Sequence, residues 1–296
     1  MLINMKEMLK VAQENQFAVP AFNIGSGQIL KAVVQSANEK NAPVILAIHP
    51  NELSFLEDSF VASCIEEAHK SKVPMVIHLD HGANKSQILR AIRCGFTSVM
   101  IDGSHLSYEE NVTISRAVVE IAKGLNISVE GELGTIGTTG TSGEGGSDEI
   151  IYTNPQLARD FVEKTGVDTL AIAIGTAHGI YPKGFKPELK LDLLKEIKEV
   201  VDIPLVLHGG SSNPDEEIAQ AVKLGVCKVN ISSDVKSAYY KKCREVLEQN
   251  PSLYEPDAIY PQCIEAAREV IEFKMNLFND IDKLKCFSPK EESVIG

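Results

Sequence analysis

The sequence lacks any apolar run long enough to cross a membrane. No segment approaches the roughly 20 apolar residues that a spanning helix requires, and the first residues contain no long apolar stretch with a cleavage site. Close cysteine pairs are missing as well. The six cysteines are scattered without C-x-x-C spacing, which argues against a zinc ribbon or a redox pair. These absences predict a cytoplasmic protein with free thiols and no membrane partner.

Positive charge is in deficit. The formal net charge is -12, and a phosphate backbone attracts clustered Lys and Arg side chains, so nucleic acid is not expected as a partner. A small phosphorylated molecule needs only local cationic groups and stays a candidate. The composition is 44% hydrophobic and 24% charged with no low-complexity tract, which predicts a folded chain with a sizeable core.

Strand-like runs alternate with helical patterns along the chain. Helical spacing is clearest in Glu109–Leu125, whose apolar and small residues recur three or four positions apart. The eight segments predicted as strands are Phe17–Ile24, Pro43–Ile48, Pro74–Leu79, Ser98–Ile101, Ile127–Glu132, Thr169–Ile174, Pro204–His208 and Lys228–Ile231. The eight predicted helices are Gln28–Glu39, Asp58–Lys70, Lys85–Cys94, Glu109–Leu125, Pro155–Lys164, Leu191–Val200, Asp215–Leu224 and Asp234–Glu248.

Near-continuous apolar strands, each followed by a helix, predict a parallel sheet covered by helices. Eight such units in about 250 residues match the α/β fold of a (β/α)8 TIM barrel. An open doubly wound sheet is the alternative, but Gly25-Ser26-Gly27 after the first strand lacks the third glycine of its phosphate fingerprint. The pattern therefore favours a single TIM-barrel domain over residues 1–296. Residues 255–287 form a predicted helical extension, packed under the barrel or on a neighbouring subunit.

One segment, Thr135–Glu149, interrupts the alternation. It is rich in glycine, threonine and serine and has almost no apolar residue. A loop of this length inside a compact domain is usually functional or disordered. Because it follows the strand end at Glu132, residues 135–149 are predicted to form a mobile loop over an active site. A plain flexible excursion is the alternative.

Polar or ionisable residues stand at every predicted strand end, where the active site of a TIM barrel lies. They are Asn23, His49, Asp80-His81, Asp102, Glu132, His178, His208-Gly209-Gly210-Ser211 and Asn230. Three of these histidines, His81, His178 and His208, are followed directly by glycine. Three imidazoles from three strands match a Zn²⁺ site that leaves one position open for substrate. Taken alone, His178 or His208 is more typical of a buried hydrogen-bonding histidine, and the coincidence of three favours the metal site.

Asp80 and His81 are neighbours, so on a regular strand their side chains would point to opposite faces. Both can serve one site only if the strand ends there and the backbone turns. Gly82 is predicted to permit that turn. The alternative is a core histidine beside a helix-capping aspartate, and His78 is predicted to lie in the barrel interior.

The residue types at these ends suggest a reaction. A dication with an open position would polarise a carbonyl, and the carboxylates of Asp80, Asp102, Glu132 and Glu144 are candidates for moving protons. Phosphate sites after strands 7 and 8 recur in this fold. The candidate phosphate donors are Gly179, Gly209, Gly210, Ser211, Ser232 and Ser233, with Lys183 as a weaker source of positive charge.

At these residues the sequence resembles class II, metal-dependent ketose-bisphosphate aldolases over nearly the whole chain. The motifs are Val19-Pro20-Ala21-Phe22-Asn23, His78-Leu79-Asp80-His81-Gly82, Val99-Met100-Ile101-Asp102-Gly103-Ser104-His105, Val129-Glu130-Gly131-Glu132-Leu133-Gly134, Ala173-Ile174-Gly175-Thr176-Ala177-His178-Gly179 and Pro204-Leu205-Val206-Leu207-His208-Gly209-Gly210-Ser211. The resemblance implies reversible, zinc-dependent cleavage of fructose or tagatose 1,6-bisphosphate to dihydroxyacetone phosphate and glyceraldehyde 3-phosphate. It also implies a monovalent cation (Na⁺ or K⁺) near the phosphate and a homodimer or homotetramer.

By position, the resemblance makes His81, His178 and His208 the zinc ligands and Asp80 the acid/base at the bond being cleaved. Asp102 and Glu132 match positions beside the metal or alternative metal positions. Residues that match the binding set for the dihydroxyacetone phosphate half are Gly179, Gly209, Ser211, Asn230 and Ser233. The other predicted substrate-binding residues are Asn23, His49, Lys183, Gly210 and Ser232.

Several positions depart from the family pattern. The family's loop glutamate, which shifts a proton of dihydroxyacetone phosphate, usually lies where Thr139 and Gly140 stand, and Glu144 is the nearest glutamate here. His49 replaces a common Ser or Thr, and Ser232 replaces an Asp, Asn or Ala. These changes bear on the substrate more than on the chemistry.

Other readings stay open at this point. The substrate is a bisphosphate or another phosphorylated sugar or sugar acid, and isomerisation or hydrolysis is possible chemistry for the same metal site. A non-catalytic aldolase-like subunit is the alternative from another class. Retention of the three histidines and Asp80 argues against that alternative.

Overall fold

The computed structural model describes residues 1–143, 145–147, 149–183 and 187–287. Ten strands lie in this part of the chain: β1 (Val19–Asn23), β2 (Val44–Ile48), β3 (Met75–Gly82), β4 (Ser98–Ile101), β5 (Ser128–Leu133), β6 (Gly137–Thr138), β7 (Thr169–Ile172), β8 (Ala177–His178), β9 (Leu205–Leu207) and β10 (Val226–Ile231). Eight of them close into a parallel barrel in the order β1-β10-β9-β7-β5-β4-β3-β2, while β6 and β8 form a separate two-stranded sheet. The predicted TIM barrel is therefore confirmed.

Ten helices lie in the described residues: α1 (Met5–Glu14), α2 (Gly27–Lys40), α3 (Pro50–Lys70), α4 (Lys85–Cys94), α5 (Tyr108–Ala122), α6 (Pro155–Thr165), α7 (Leu191–Val200), α8 (Asp215–Lys223), α9 (Ser233–Gln249) and α10 (Pro256–Leu277). A short 3-10 turn at Lys283–Phe287 follows. The predicted bounds are right for α4 and α7. Helix α3 begins at Pro50 but breaks at Glu57, which has φ 63°, so the predicted start at Asp58 matches its second part. The first part begins at a cap, in which His49 Nδ1 accepts a hydrogen bond from the backbone N–H of Asn51.

Helix α1 closes the N-terminal end of the barrel. Its Met5, Met8 and Leu9 side chains are 0% exposed and pack against inward-facing strand residues such as Val76. The backbone N–H of Met5 donates to Oγ of Ser128, the first residue of β5, at 2.9 Å. With this end filled by apolar side chains, the carboxyl ends of the strands are left for polar ones.

The C-terminal extension packs mainly on the outside of the barrel rather than beneath it. Helix α10 lies against α9 and α2, and Arg268 Nε donates to Ser36 Oγ of α2 at 3.3 Å. Buried Lys274 pairs with Asp234 at the start of α9 at 3.2 Å. Only the end of the extension reaches the floor, where Phe287 packs against the apolar cluster around α1.

The cysteines behave as the spacing predicts. All six carry free thiols. Burial raises the pKa of the Cys64 thiol to about 12, so that thiol stays protonated and unreactive. No helix among the described residues has the length and apolar character needed to span a bilayer.

Asp280, after α10, predicts a pH-dependent stability. Its side chain is 0% exposed, neither carboxylate oxygen has a hydrogen-bond partner among the described residues, and burial raises its pKa well above the ordinary 3.8 although Lys283 opposes the shift. An acid with a raised folded-state pKa favours the folded state below its unfolded pKa and loses that contribution as the pH rises towards the folded value.

We therefore expect Asp280→Asn, which cannot ionise, to be more stable than the native chain at pH 8 by on the order of 1 to 3 kcal/mol. The advantage should shrink towards pH 4. Thermal unfolding at both pH values measures it, and an equal difference between the two chains at both pH values would contradict the buried-acid explanation.

Candidate metal centre and active site

Three histidines from separate strand ends meet at the top of the barrel. His81 ends β3, His178 lies in β8 and His208 follows β9. Their exposed fractions are 8%, 2% and 0%, and one ring nitrogen of each lies within 4.8 Å of the others. The structure thus brings together the three imidazoles that the sequence predicts as ligands.

Two carboxylates orient two of these rings. His81 Nδ1 lies 2.8 Å from Asp102 Oδ2, and His208 Nε2 lies 2.6 Å from Glu130 Oε1. A carboxylate only accepts hydrogen bonds, so both of these ring nitrogens carry hydrogen. In the neutral form of each ring the lone pair therefore lies on His81 Nε2 and on His208 Nδ1, two atoms that are 2.9 Å apart.

A backbone carbonyl orients the third ring. His178 Nδ1 donates to the carbonyl of Gly145 at 3.1 Å, which leaves the lone pair on Nε2. That Nε2 atom is buried and has no hydrogen-bond partner among the described residues. Three imidazole lone pairs thus converge in a buried space. This donor set fits Zn²⁺, and the orphaned nitrogen is the atom that a metal would satisfy.

The charges around the rings differ strongly. Burial lowers the pKa of His178 to about 3, so that ring is neutral. Burial also opposes protonation of His81, but Asp80 and Asp102 outweigh it and raise the pKa of His81 to about 10. Without an ion, a proton on His81 Nε2 therefore forms a hydrogen bond to His208 Nδ1 at 2.9 Å. A metal would take the place of that proton.

The backbone turn that serves this site lies at His81 rather than at Gly82. His81 has φ 50°, in the left-handed region, and the register between β3 and β4 shifts between Leu79 and Gly82. The prediction that Gly82 supplies the turn is therefore wrong. Glycine is required there for space, since a Cβ on Gly82 would lie 2.6 Å from the carbonyl oxygen of Met100.

Asp80 lies beside the histidines and is 1% exposed. Its Oδ1 atom is 4.0 Å from His81 Nε2 and 3.9 Å from His208 Nδ1. Amides of Asn23 and Asn230 donate to its two oxygens at 2.8 and 3.0 Å. Burial would raise the pKa of Asp80, but the neighbouring His81 and His208 reverse the effect and hold it well below its ordinary value. Asp80 is therefore an ionised base at the site.

Asp102 and Glu132 form a second group around His81. Asp102 Oδ1 accepts from the backbone and hydroxyl of Ser104, and its other oxygen holds His81. Burial and the charge of Asp102 raise the pKa of Glu132 well above its ordinary value. One atom from each of His81, Asp102 and Glu132 also lies within 4.8 Å of the others. The pair thus lies where the predicted alternative metal position would be.

The loops after β9 and β10 form the other side of the site. Ser211 Oγ accepts from the backbone N–H groups of Ser232 and Asp234, which ties the β9 loop to the start of α9. A Cβ on Gly210 would lie 2.5 Å from a side-chain carbon of Val229, so only glycine fits this close approach. Free N–H groups at the first turn of a helix favour anions, and Ser233 opens α9 here.

The glycine-rich loop lies over the histidines and is hydrogen-bonded to β8. Strand β6 in the loop pairs with β8 (Gly137 with Ala177), a contact that the sequence pattern does not predict. The backbone and hydroxyl of Thr139 both donate to the carbonyl of His178. Beneath the loop lies a cavity of about 540 Å³, whose lining includes His81, His178, Asp102 and Glu132. Glu144 lies outside the described residues, so its predicted role stays a prediction, as does the mobility of the loop.

Two other predicted residues lie farther out. His49 is half-buried, with its ring centroid 6.3 Å from that of His81, and burial lowers its pKa. Asn51, the second residue of α3, donates to the carbonyl of Gly143 and links this corner to the loop. Lys183 is exposed, in a turn next to residues 184–186, and is not among the described residues that line the cavity.

Sequence reasoning missed two charged residues inside the barrel. Lys228 and Glu130 are both 0% exposed, and Lys228 Nζ donates to Glu130 Oε2 at 2.7 Å. A lysine inside the apolar run Val226–Ile231 was the available signal, since it shares a strand face with Asn230 two positions later. His78 does lie in the barrel interior, at 3.3 Å from Lys228 Nζ.

Gly179 offers a test of the hydrogen-bonded contact between the loop and β8. Its φ is 105°, and a Cβ would lie 2.0 Å from Thr139 Oγ1. We expect Gly179→Ala to destabilise the fold by on the order of 1 to 2 kcal/mol and to speed proteolytic cleavage within residues 135–149. Gly124→Ala is the matched control, because an added Cβ there meets no atom within 4 Å. Equal cleavage rates in both variants would show that the contact with β8 does not hold the loop in place.

Comparison with known proteins agrees with this geometry. The family model "Fructose-bisphosphate aldolase class-II" matches residues 3–283. The chain is 41% identical over 271 residues to the D-tagatose-1,6-bisphosphate aldolase subunit GatY of Klebsiella oxytoca, covering 91% of this chain and 95% of that protein. It is 39% identical over 289 residues to the 6-phospho-5-dehydro-2-deoxy-D-gluconate aldolase of Bacillus licheniformis, covering 96% and 97%.

Solved structures give the same answer. The crystal structure of the YdjI aldolase from Escherichia coli K12 matches with a TM-score of 0.84 and 30% sequence identity, covering 96% of this chain and 100% of that one. The match includes the barrel and its C-terminal extension, since so little of either chain is left out. The chain therefore belongs to the class-II fructose-bisphosphate aldolase family, whose members are aldehyde-lyases.

Proposed function

We propose that this chain is a zinc-dependent aldolase that reversibly cleaves fructose or tagatose 1,6-bisphosphate to dihydroxyacetone phosphate and glyceraldehyde 3-phosphate. The observation that carries the proposal is the convergence of three imidazole lone pairs within 4.8 Å beside an ionised Asp80. Members of this family are generally zinc-dependent and act on phosphorylated sugars. One domain, a cytoplasmic location and a homodimer or homotetramer complete the proposal.

The metal would be held by His81 Nε2, His178 Nε2 and His208 Nδ1. When bound, Zn²⁺ polarises the ketose carbonyl and stabilises the negative charge that develops on its oxygen. The protein's part is to aim one nitrogen of each ring inwards. The hydrogen bonds from the other ring nitrogens to Asp102, Glu130 and the Gly145 carbonyl do this.

Asp80 is proposed as the acid/base for the bond that breaks. In cleavage its carboxylate takes the proton of the hydroxyl on the aldehyde side, and in condensation it returns that proton. Two amide donors, Asn23 and Asn230, hold both oxygens in place. The low pKa of Asp80 keeps it in the basic form needed for cleavage.

The phosphate of the dihydroxyacetone phosphate half is proposed to bind at the start of α9. Donors there are the N–H groups of the first helical turn, the glycines after β9 and the hydroxyls of the local serines, with a monovalent cation beside them. The residues are Gly179, Gly209, Gly210, Ser211, Ser232 and Ser233. Glu144 stays the predicted base that exchanges a proton of dihydroxyacetone phosphate, and Lys183 a weaker contact.

A phosphorylated sugar acid is the second candidate substrate. One relative is named as a 6-phospho-5-dehydro-2-deoxy-D-gluconate aldolase, and His49 provides a local reason to consider such a substrate. Its Nδ1 accepts from Asn51, so Nε2 carries the hydrogen and is a donor near the site. Such a donor at the rim would pair with a carboxylate or a hydroxyl at the far end of the sugar.

Metal removal tests the proposed class. We expect a chelator to abolish cleavage and Zn²⁺ to restore it, since the ion supplies the only proposed stabilisation of the carbonyl oxygen. Triose phosphate release is measured on fructose bisphosphate, tagatose bisphosphate and the phosphorylated sugar acid side by side. The rate ratio identifies the preferred substrate, and full activity after verified metal removal would contradict the mechanism.

Asp80→Ala tests the acid/base role. We expect a loss of about 10²- to 10⁴-fold in kcat with zinc still bound, because the histidine ligands remain and only the proton acceptor is lost. Asp192→Ala, which removes an exposed carboxylate on α7 (91% exposed), is the control and should keep full activity. Unchanged kcat in Asp80→Ala would refute the assignment.

A further inference from the structure

The barrel interior contains an ion pair that none of the proposed steps uses. Lys228 and Glu130 are both 0% exposed and lie on β10 and β5, on different sides of the barrel. Removing both charges from water is costly, so a buried ion pair is weak evidence for stability alone. The hydrogen bonds of this ion pair indicate a different role.

One carboxylate oxygen of Glu130 contacts Lys228, and the other contacts a histidine of the proposed metal site. Oε2 accepts from Lys228, and Oε1 accepts from His208 Nε2 at 2.6 Å. With hydrogen on Nε2, the ring must present the lone pair of Nδ1 to His81 at 2.9 Å. The amide of Asn230, a donor, lies 3.2 Å from the same Nδ1 atom, which agrees with this tautomer.

Lys228 is itself fixed from its other side. Its Nζ atom lies 3.3 Å from His78 Nε2, and lysine can only donate, so His78 Nε2 is the acceptor. Hydrogen then lies on His78 Nδ1, which donates to Ser98 Oγ at 2.8 Å. The hydroxyl of Ser98 points in turn to the sulfur of Met5 on α1. Contacts to Glu130 on one side and His78 on the other thus hold the Lys228 ammonium group in place.

We propose that Glu130, held in place by Lys228, is a positioning residue that fixes the tautomer and the orientation of His208 and thereby sets the metal affinity of the site. The inference rests on the proposed function, since it takes His208 as a metal ligand. Hydrogen-bond partners of metal-bound histidines typically contribute 10- to 100-fold to metal affinity. Neither Glu130 nor Lys228 touches the substrate in this proposal.

Two double variants, both without the ion pair, distinguish the effect of the hydrogen-bond acceptor for His208 from the effect of the charge on Glu130. Glu130→Gln with Lys228→Met keeps an oxygen that can accept from His208 Nε2, whereas Glu130→Leu with Lys228→Met does not. Both remove the ion pair, so neither leaves an unpaired buried charge. We expect the glutamine variant to bind Zn²⁺ within about threefold of the native affinity and the leucine variant to bind about 10- to 100-fold more weakly.

Zinc affinity is measured by competition with a fluorescent chelator, and the visible spectrum of the Co²⁺-loaded protein reports the ligand set. A changed Co²⁺ spectrum is expected only in the leucine variant. Arg268→Met, which removes an ion-paired cation on α10 away from the site, is the control for general loosening and should keep native affinity. Equal affinity and equal spectra in the two double variants would overturn the proposal.

A measurement on the native chain covers the case in which either double variant fails to fold. Nitrogen-15 NMR of the labelled imidazoles distinguishes the two tautomers of His208 directly. We expect hydrogen on Nε2 both in metal-free protein and in zinc-loaded protein. Hydrogen on Nδ1 in the zinc-loaded protein would overturn the proposal without any variant.

The outcomes also separate this inference from the proposed function. If the native protein binds zinc in a Glu130-dependent way but cleaves none of the tested sugars, the inference stands and the proposed reaction fails. If the protein cleaves ketose bisphosphates and the two double variants bind zinc equally, the reaction stands and the positioning role fails.

Discussion

The active site depends on one backbone conformation, the left-handed φ of His81. Side chains alternate along a strand, so Asp80 and His81 could not otherwise reach the same side. A non-glycine residue in this region costs on the order of 1 to 3 kcal/mol and persists only when its surroundings over-determine it. Here Asp102 holds the ring of His81, and Gly82, which has no Cβ, lets the backbone approach Met100 of β4. The strain is thus stored where the proposed base and the first proposed ligand meet.

Neighbouring charges then give chemically similar side chains different pKa values. The three imidazoles share a buried space, yet Asp80 and Asp102 raise the pKa of His81 whereas burial lowers the pKa of His178 and His208. Asp80 and Glu132 are equally buried, but the cations near Asp80 lower its pKa whereas Asp102 raises that of Glu132. Because the two carboxyl groups are equally buried, the neighbouring charges decide in which direction each pKa moves.

Much of the fold was predictable because strands and helices alternate regularly along the chain. Apolar strands followed by amphipathic helices specify a closed parallel sheet, and polar residues at strand ends specify the working face. The conformation at His81 was not predictable, since glycine next door is the better guess for a turn. The first part of α3, before the break at Glu57, was missed because a histidine is a rare helix cap, although His49 Nδ1 can accept like a carboxylate.

Lys228 and Glu130 were missed for a different reason. A charged residue in a strand is normally taken as a strand end or a solvent-facing position, and no local pattern shows that two such residues face each other across a barrel. Their pairing depends on the strand order, which puts β5 and β10 on different sides of a shared interior. Long-range geometry of this kind becomes visible only once the barrel is closed.

Chemistry and specificity are supported by different parts of the molecule. The three histidines are held by partners on several strands, so under the proposed function a change at any of them would disturb the reaction for every substrate. Among the described residues, the side chain of His49 is hydrogen-bonded within the cap of α3, and Asn51 ties the nearby loop to that same corner. Under the proposed function, substitutions at this corner would change which aldehyde half is accepted while the proposed bond-breaking groups stay in place.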